Sequence, residues 1–395
     1  MKKIVTIMLL SIIFIFSYGC QKPSDQMNNK TTTGNKTTVP SENLTEDTSS
    51  TETESNKDET AAPEENKNGS EDTTSEQTSE KPAAKYTIKD IYPFVSNTMY
   101  DYEGKGNEYA SYTVWVDYIK GNRIQLRINN GGTEVSRVIE NKNGELKLIY
   151  SREETYFRED FTSKKANKNE ILIKEPIAKG TSWTLPDGRK RYISNMDVNV
   201  STPAGNFKAV EVTTEGKDYK DIDYYAPNKG LIKTEYVAKG MNVTSTIKKI
   251  QNKASLTQTV RFYYPNINDD KLYYADKKLT FKTNDITKQT FEKMFKEAAS
   301  EELGKPLSAN VKIKSLYLNN DTVYVDFSKE FITEMNAGSG YEGLILQSIV
   351  NTLGGYYGLD RVYITVENQP YSSGHIEMKK GETFKVDTKN SVKVK

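Results

Sequence analysis

From Tyr86 to about Ile250 the chain alternates. Tyr112, Val114, Val116 and Tyr118 are separated by Thr113, Trp115 and Asp117; Gly121-Asn122 turns the chain, and Ile124, Leu126 and Ile128 alternate again before Asn129-Asn130-Gly131-Gly132. A period of two places successive side chains on opposite faces of a strand, so this reads as β-structure. Val135 to Ile139, Asn141-Lys142-Asn143-Gly144 and Leu146 to Tyr150 repeat the scheme, and short strands broken by Asn and Gly turns predict an antiparallel meander. Gly205 and Gly230 fall in turn sequences that call for positive φ.

Near Gln258 the period begins to change. Val260 to Pro265 and Leu272 to Phe281 read as strands, but Phe291, Met294, Phe295 and Ala298 fall at i, i+3, i+4 and i+7, the stripe of a helix, with Asp285 or Thr287 available as its cap. Val311 to Leu318 and Thr322 to Phe327 flank Asn319-Asn320-Asp321 as a hairpin; Leu346, Ile349, Val350 and Leu353 mark a second helix ending at Gly354-Gly355, and Val362 to Val366 is a last core strand. The predicted fold class is α+β: a mostly antiparallel β domain over 86–252, then a small two-helix α/β domain over 258–387 and a tail over 388–395.

The first 85 residues have another character. Met1-Lys2-Lys3 precedes the apolar run Ile4 to Phe16, about 13 residues long and short of the ~20 that span a bilayer, so 1–20 reads as a signal peptide. Residues 21–85 hold seven lysines and fourteen acidic residues with no aromatic before Lys85. Such a segment buries too little apolar surface to offset its chain entropy and reads as a disordered acidic tether, reaching roughly 40–50 Å as a coil. The mean hydropathy of −0.72 reflects this dilution, and the near-neutral total conceals an acidic tether on a weakly basic body. No basic stripe suggests nucleic acid.

Chemistry is sparse. One Cys and one His among 395 residues exclude a Cys/His zinc site and a disulfide framework, and no cofactor or metal is expected. Gly338-Ser339-Gly340 lacks the wider nucleophile elbow, His375 follows Ser373-Gly374 as a turn residue, and Asp101, Glu103 and Asp117 read as strand carboxylates facing water rather than as a glycan-cleaving set. Asn266-Ile267-Asn268-Asp269-Asp270 and Asn319-Asn320-Asp321 lack the Ca²⁺ loop pattern and read as turns. No catalytic residue is assigned.

Three resemblances add to this reading. Ser17-Tyr18-Gly19-Cys20 after the apolar run resembles the lipobox of bacterial lipoproteins, departing where Ser17 replaces the usual aliphatic; it implies lipidation of Cys20 and a membrane anchor on the extracytoplasmic face. Gly180-Thr181-Ser182-Trp183, Thr202 to Ala209 and Tyr224 to Lys233 are similar to exported domains with a strongly curved sheet, such as lipoprotein-carrier half-barrels. There the expectation is a packed sheet with tyrosines on its surface rather than a ligand-accepting concave face.

Val323 to Phe331, Gly338-Ser339, Glu342, Leu346 to Leu353 and Gly374-His375 together resemble the GerMN domain of sporulation and spore germination lipoproteins. The family often has a Lys-Gly-Pro turn where this chain has Gly304-Lys305-Pro306, and only one copy is present where some members have two. The resemblance implies a compact fold like the ring-building motif and a non-enzymatic role in sporulation or germination through assembly with envelope proteins or with itself. Its motif residues here are Asp326, Phe327, Ser328, Gly338, Ser339, Glu342, Ile349, Asn351, Leu353 and His375. Read physically they are structural: Asp326 or Ser328 would cap the helix starting near Lys329, and Ser339 with Glu342 has the spacing of a capping box. The rival readings are a peptidoglycan-binding module, with exposed tyrosines and Trp115 or Trp183 stacking on sugars, and an accessory of a membrane sensor kinase.

Overall fold

The computed structural model describes residues 85–394; the signal segment, the tether and Cys20 lie outside them. Twelve strands form one antiparallel sheet. In chain order they are β1 (Met99–Lys105), β2 (Tyr112–Lys120), β3 (Arg123–Asn129), β4 (Glu134–Lys142), β5 (Glu145–Arg152) and β6 (Glu170–Lys174). There follow β7 (Ser182–Thr184), β8 (Lys190–Thr202), β9 (Gly205–Glu215), β10 (Tyr219–Ala226), β11 (Gly230–Ala238) and β12 (Met241–Gln251). The spatial order is β6-β5-β4-β3-β2-β1-β12-β11-β10-β9-β8-β7, so two meanders meet where β1 pairs with β12. The turns follow their residues: Asn143-Gly144 links β4 to β5 with φ of 54° and 70°, the left-handed pair that a two-residue hairpin needs.

The ends of this sheet meet without a backbone ladder. Trp183 Nε1 on β7 donates to the Ile171 carbonyl of β6 at 2.9 Å, and Arg191 Nε on β8 donates to the Leu172 carbonyl at 3.0 Å. Two side chains thus close the seam, and Val116, Ile139, Leu148, Ile193, Val212 and Ile247 are buried in the interior. A short helix, α1 (Ile88–Ile91), buries both of its isoleucines in the same cluster.

The remaining elements pack against the outer face of β4 and β5. They are β13 (Leu256–Asn266), β14 (Lys271–Phe281), α2 (Thr287–Phe295), β15 (Ile313–Asn319), β16 (Thr322–Phe327), α3 (Glu330–Thr333) and α4 (Ser339–Tyr357). Then come β17 (Arg361–Val366), β18 (Gln369–Pro370), β19 (Phe384–Lys385) and β20 (Ser391–Lys393). The hairpin β13–β14 is joined by parallel β20, and β15-β16-β17 with β18 and β19 make a second small sheet in which β16 and β17 run parallel. Their core is aromatic: Phe262, Phe281, Phe291, Phe295, Phe327 and Phe331 are fully buried. Val138 and Ile149 point into this core while their neighbours Ile139 and Leu148 point into the wrapped sheet, so the paired hydrophobics of β4 and β5 serve two cores at once.

An ionic bolt crosses the same interface. Asp117, expected to face water, is wholly buried, because Arg127 pairs with it at 3.0 Å and Arg158 at 3.4 Å. The Arg158 guanidinium also donates to the Asp117 and Lys282 carbonyls at 2.9 and 3.2 Å and lies 4.1 Å from the Tyr118 ring centre. Its backbone amide donates to Tyr356 Oη on α4 at 2.8 Å. Neither expected cap sits on α2. The Asp285 carboxylate accepts from the Lys282 amide and Thr287 Oγ1 donates to the Arg158 carbonyl, leaving Ile286 at the cap position.

Candidate functional site

The motif residues are spread over three places, and at each the side chain holds chain to chain. At the end of β16, Asp326 accepts from Thr365 Oγ1 at 2.6 Å and from the Asn368 amide at 2.8 Å, pinning a β17–β18 turn whose Glu367 and Asn368 have φ of 53° and 64°. Ser328 Oγ accepts from the Lys312 amide at 2.9 Å. Neither caps α3, whose N-cap is Lys329, because Asp326 is engaged by Thr365 and Asn368 and Ser328 by Lys312. Phe327, Ile349 and Leu353 are core. Asn351 forms a two-way bond with the Asp387 backbone, accepting its amide at 2.9 Å and donating to its carbonyl at 2.6 Å, which ties the chain after β19 to α4.

The third place is the start of α4. Gly338 is the N-cap and Ser339 is the exposed first helical residue, so the expected capping box does not form. Glu342 instead turns inward and is almost fully buried, accepting from Tyr371 Oη at 2.8 Å and Ser373 Oγ at 2.5 Å. Burial and the Glu342 hydrogen bond push the Tyr371 phenol upward, so its proton stays in place. Ser373 Oγ also accepts from the His375 and Ile376 amides. His375 itself is exposed on the rim of an open depression with Asn336, Gly338 and Gly374. No hydrogen bond joins Ser339 to His375 among the described residues, and the carboxylate that could serve as a base is spent holding the loop. The arrangement fixes a shape.

The wrapped sheet is different, because it is not filled. A cavity of about 270 Å³ lies inside it. Val114, Ile124, Leu126, Val135, Ile139 and Leu172 form its aliphatic wall, with Tyr92, Tyr100, Tyr102, Tyr112 and Tyr225 beside them. This corrects the expectation of a packed sheet with surface tyrosines: Tyr102 and Tyr225 are buried, and Tyr102 stacks on Tyr112 at 4.4 Å while its hydroxyl donates to the Leu231 carbonyl at 2.7 Å. Trp115 and Trp183 are also buried, at 2% and 7% exposure, so neither offers a face to a sugar.

One end of the cavity is charged. Arg191 donates to Asp223 at 2.6 Å and to Thr214 Oγ1 at 2.7 Å; Arg189 pairs with Asp187 at 2.8 Å and lies 3.5 Å from Asp221. Burial, then the Asp223 charge, push the Asp221 carboxyl up to about 7, against the pull of the two arginines. Sequence reasoning missed this cluster. The signal was present as alternation, Arg189 just before β8 with Arg191 on it and Asp221 with Asp223 on β10, but same-face spacing does not distinguish an inner face from an outer one.

The match to a family model falls in the C-terminal part. Residues 261–372 match the family model described as Germane, sporulation and spore germination. A search of curated proteins returns no match. Among solved structures, the tandem GerMN domains of the sporulation protein GerM from Bacillus subtilis align at 20% identity and a TM-score of 0.28, covering 34% of this chain and 48% of that one. The chain thus spans about half the length of that structure. A Bacteroides fragilis protein of YmcC-like fold aligns at 12% identity and a TM-score of 0.26, covering 41% of this chain and 99% of that one. A Clostridium perfringens protein described as a lipoprotein aligns at 17% identity and a TM-score of 0.23, covering 33% and 87%.

Proposed function

We propose, from the Germane domain that the chain carries at residues 261–372, that this protein is a lipid-anchored, extracytoplasmic component of the sporulation or germination machinery that works by assembly rather than catalysis. The observation that carries the second half is the fate of the motif side chains. Asp326, Ser328, Glu342 and Asn351 all spend their polar atoms on intramolecular bonds, which leaves surface and shape as what the domain offers. In this reading 258–387 is an α+β unit similar to the ring-building motif, with α2 and α4 laid against its strands, and 86–252 is the β unit that carries it. β15 is an edge strand that carries the exposed Tyr317, which offers a partner apolar area and a polar tip.

Lipidation of Cys20 supplies the membrane anchor. No helix among the described residues is long and apolar enough to cross a membrane. Peptidoglycan stacking through tryptophan loses its support with Trp115 and Trp183 buried.

Crosslinking of the tagged chain in sporulating cells, followed by mass spectrometry, tests the reading. Recovery of defined envelope proteins or of chain-to-chain adducts, lost when Tyr317 and its edge are replaced by Lys, is expected. A freely diffusing monomer with no adduct, or turnover of muropeptides by the purified chain, overturns it. Cys20→Ser is expected to release the protein from the membrane fraction.

A further inference from the structure

We infer that the cavity inside the wrapped sheet binds a small amphiphile, an apolar body carrying a protonated amine, with the amine set against Asp221. This inference stands apart from the assembly role, since it rests on residues outside the Germane segment. At about 270 Å³ the cavity lies just under the range of ordinary small-ligand pockets, ~300–1,000 Å³. Its aliphatic wall comes from β2, β3, β4 and β6, and Tyr92, Tyr112 and Tyr225 bring rings whose faces attract cations as well as alkyl groups.

The sign of the headgroup follows from which charges are already met. Arg191 is committed on all three nitrogens, to the Leu172 carbonyl, Thr214 and Asp223. Arg189 is held by Asp187 at 2.8 Å on the outer side. Arg137, across the cavity on β4, is held below its ordinary value by burial, which the charge of Glu170 offsets in part, and Lys229, also on the lining, is exposed to water. Asp221 is left with the second-best contact of a shared arginine, at 3.5 Å. A carboxylate ligand would meet Asp221, Asp223 and Glu170 with its own charge; an ammonium would complete Asp221 and lie among tyrosine rings.

Titration calorimetry of the full chain with octylamine, octanol and octanoate tests this. Octylamine is expected to bind one to one and at least tenfold tighter than octanoate, with octanol between them. Asp221→Asn is expected to bring octylamine down to the level of octanol while leaving octanol unchanged. Leu126→Trp, which fills the cavity, is expected to abolish binding of all three; if its circular dichroism departs from that of the parent, Val114→Phe serves in its place. Octanoate binding as tightly as octylamine overturns the inference. So does octylamine binding that survives cavity filling, as it would on the acidic tether, and so does the absence of saturable octylamine binding.

Discussion

The two halves of the described chain bury similar kinds of residue to opposite ends. In the C-terminal half, phenylalanines interlock at short ring separations, Phe327 on Phe331 at 4.3 Å and Phe262 against Phe291 at 5.6 Å, and polar side chains are used singly as pins. In the wrapped sheet the rings lining the hollow are tyrosines, and charged groups are gathered at one end of it. The core that holds its shape is filled by phenylalanine rings packed with Tyr264, Tyr357 and Tyr371, and among the described residues it keeps no hollow of this kind. A core that keeps a hollow is built with groups tolerating both states, since a phenol can face an alkyl chain or a water.

The sharpest way to break the comparison is at the bolt between the halves. Arg158→Ala takes from Asp117 one of its two arginines and from the N-terminal end of α2 its anchor, and a loss of about 3–5 kcal/mol is expected, read by urea denaturation. The single transition should also divide, with tyrosine fluorescence of the sheet and circular dichroism no longer coinciding. Coincident curves in the variant would mean that the halves do not depend on Arg158 for their coupling.

Next come paired truncations. Leu353→Ala in the solid core is expected to cost about 2–5 kcal/mol, whereas Leu126→Ala, beside space that already exists, should cost about 1–2 kcal/mol. Equal losses would show that the hollow is filled by relaxation in solution. Glu342→Ala, which frees Tyr371 and Ser373, is expected to cost about 1–3 kcal/mol and to raise hydrogen exchange over 371–376 without changing it in the sheet.

The smallest effect is pH-dependent. Asp221 holds its proton more tightly in the fold, up to about 7, than its ordinary value of 3.8. Its contribution is therefore fully present below about pH 4, declines as pH rises toward 7 and stays flat above that. Asp221→Asn should flatten this segment and leave the variant more stable than the parent at pH 8, by roughly 1 kcal/mol because the side chain keeps some solvent contact. Thermal melts at pH 5 and 8 measure the difference, and an unchanged gap between the two proteins at both values would count against the placement of Asp221.

Much of this architecture is legible as pattern. The period of two in 112–150 becomes β2 to β5, and the stripe Leu346, Ile349, Val350 and Leu353 becomes the buried face of α4. What escapes is whatever depends on a partner far along the chain. Ser339 and Glu342 have capping-box spacing, yet Tyr371 and Ser373, about thirty residues on, capture the carboxylate. Asp117 looks like a surface residue until Arg127 and Arg158 converge on it. Trp183 gives no sign that its indole will reach across to β6. Local periodicity records which face a residue takes, and long-range closure decides what that face meets.

The pairing of β1 with β12 has a mechanical consequence. Met99 lies opposite Gln251, and the Ala254 amide donates to the Asn97 carbonyl at 2.9 Å, so the chain enters and leaves the wrapped sheet at the same end of one antiparallel pair. Tension between these two flanks would load that ladder as a zipper, rung after rung, instead of shearing all its rungs together. The ten other strands hang from it as a slack loop, and a pull along the polypeptide would reach the C-terminal half before straining them.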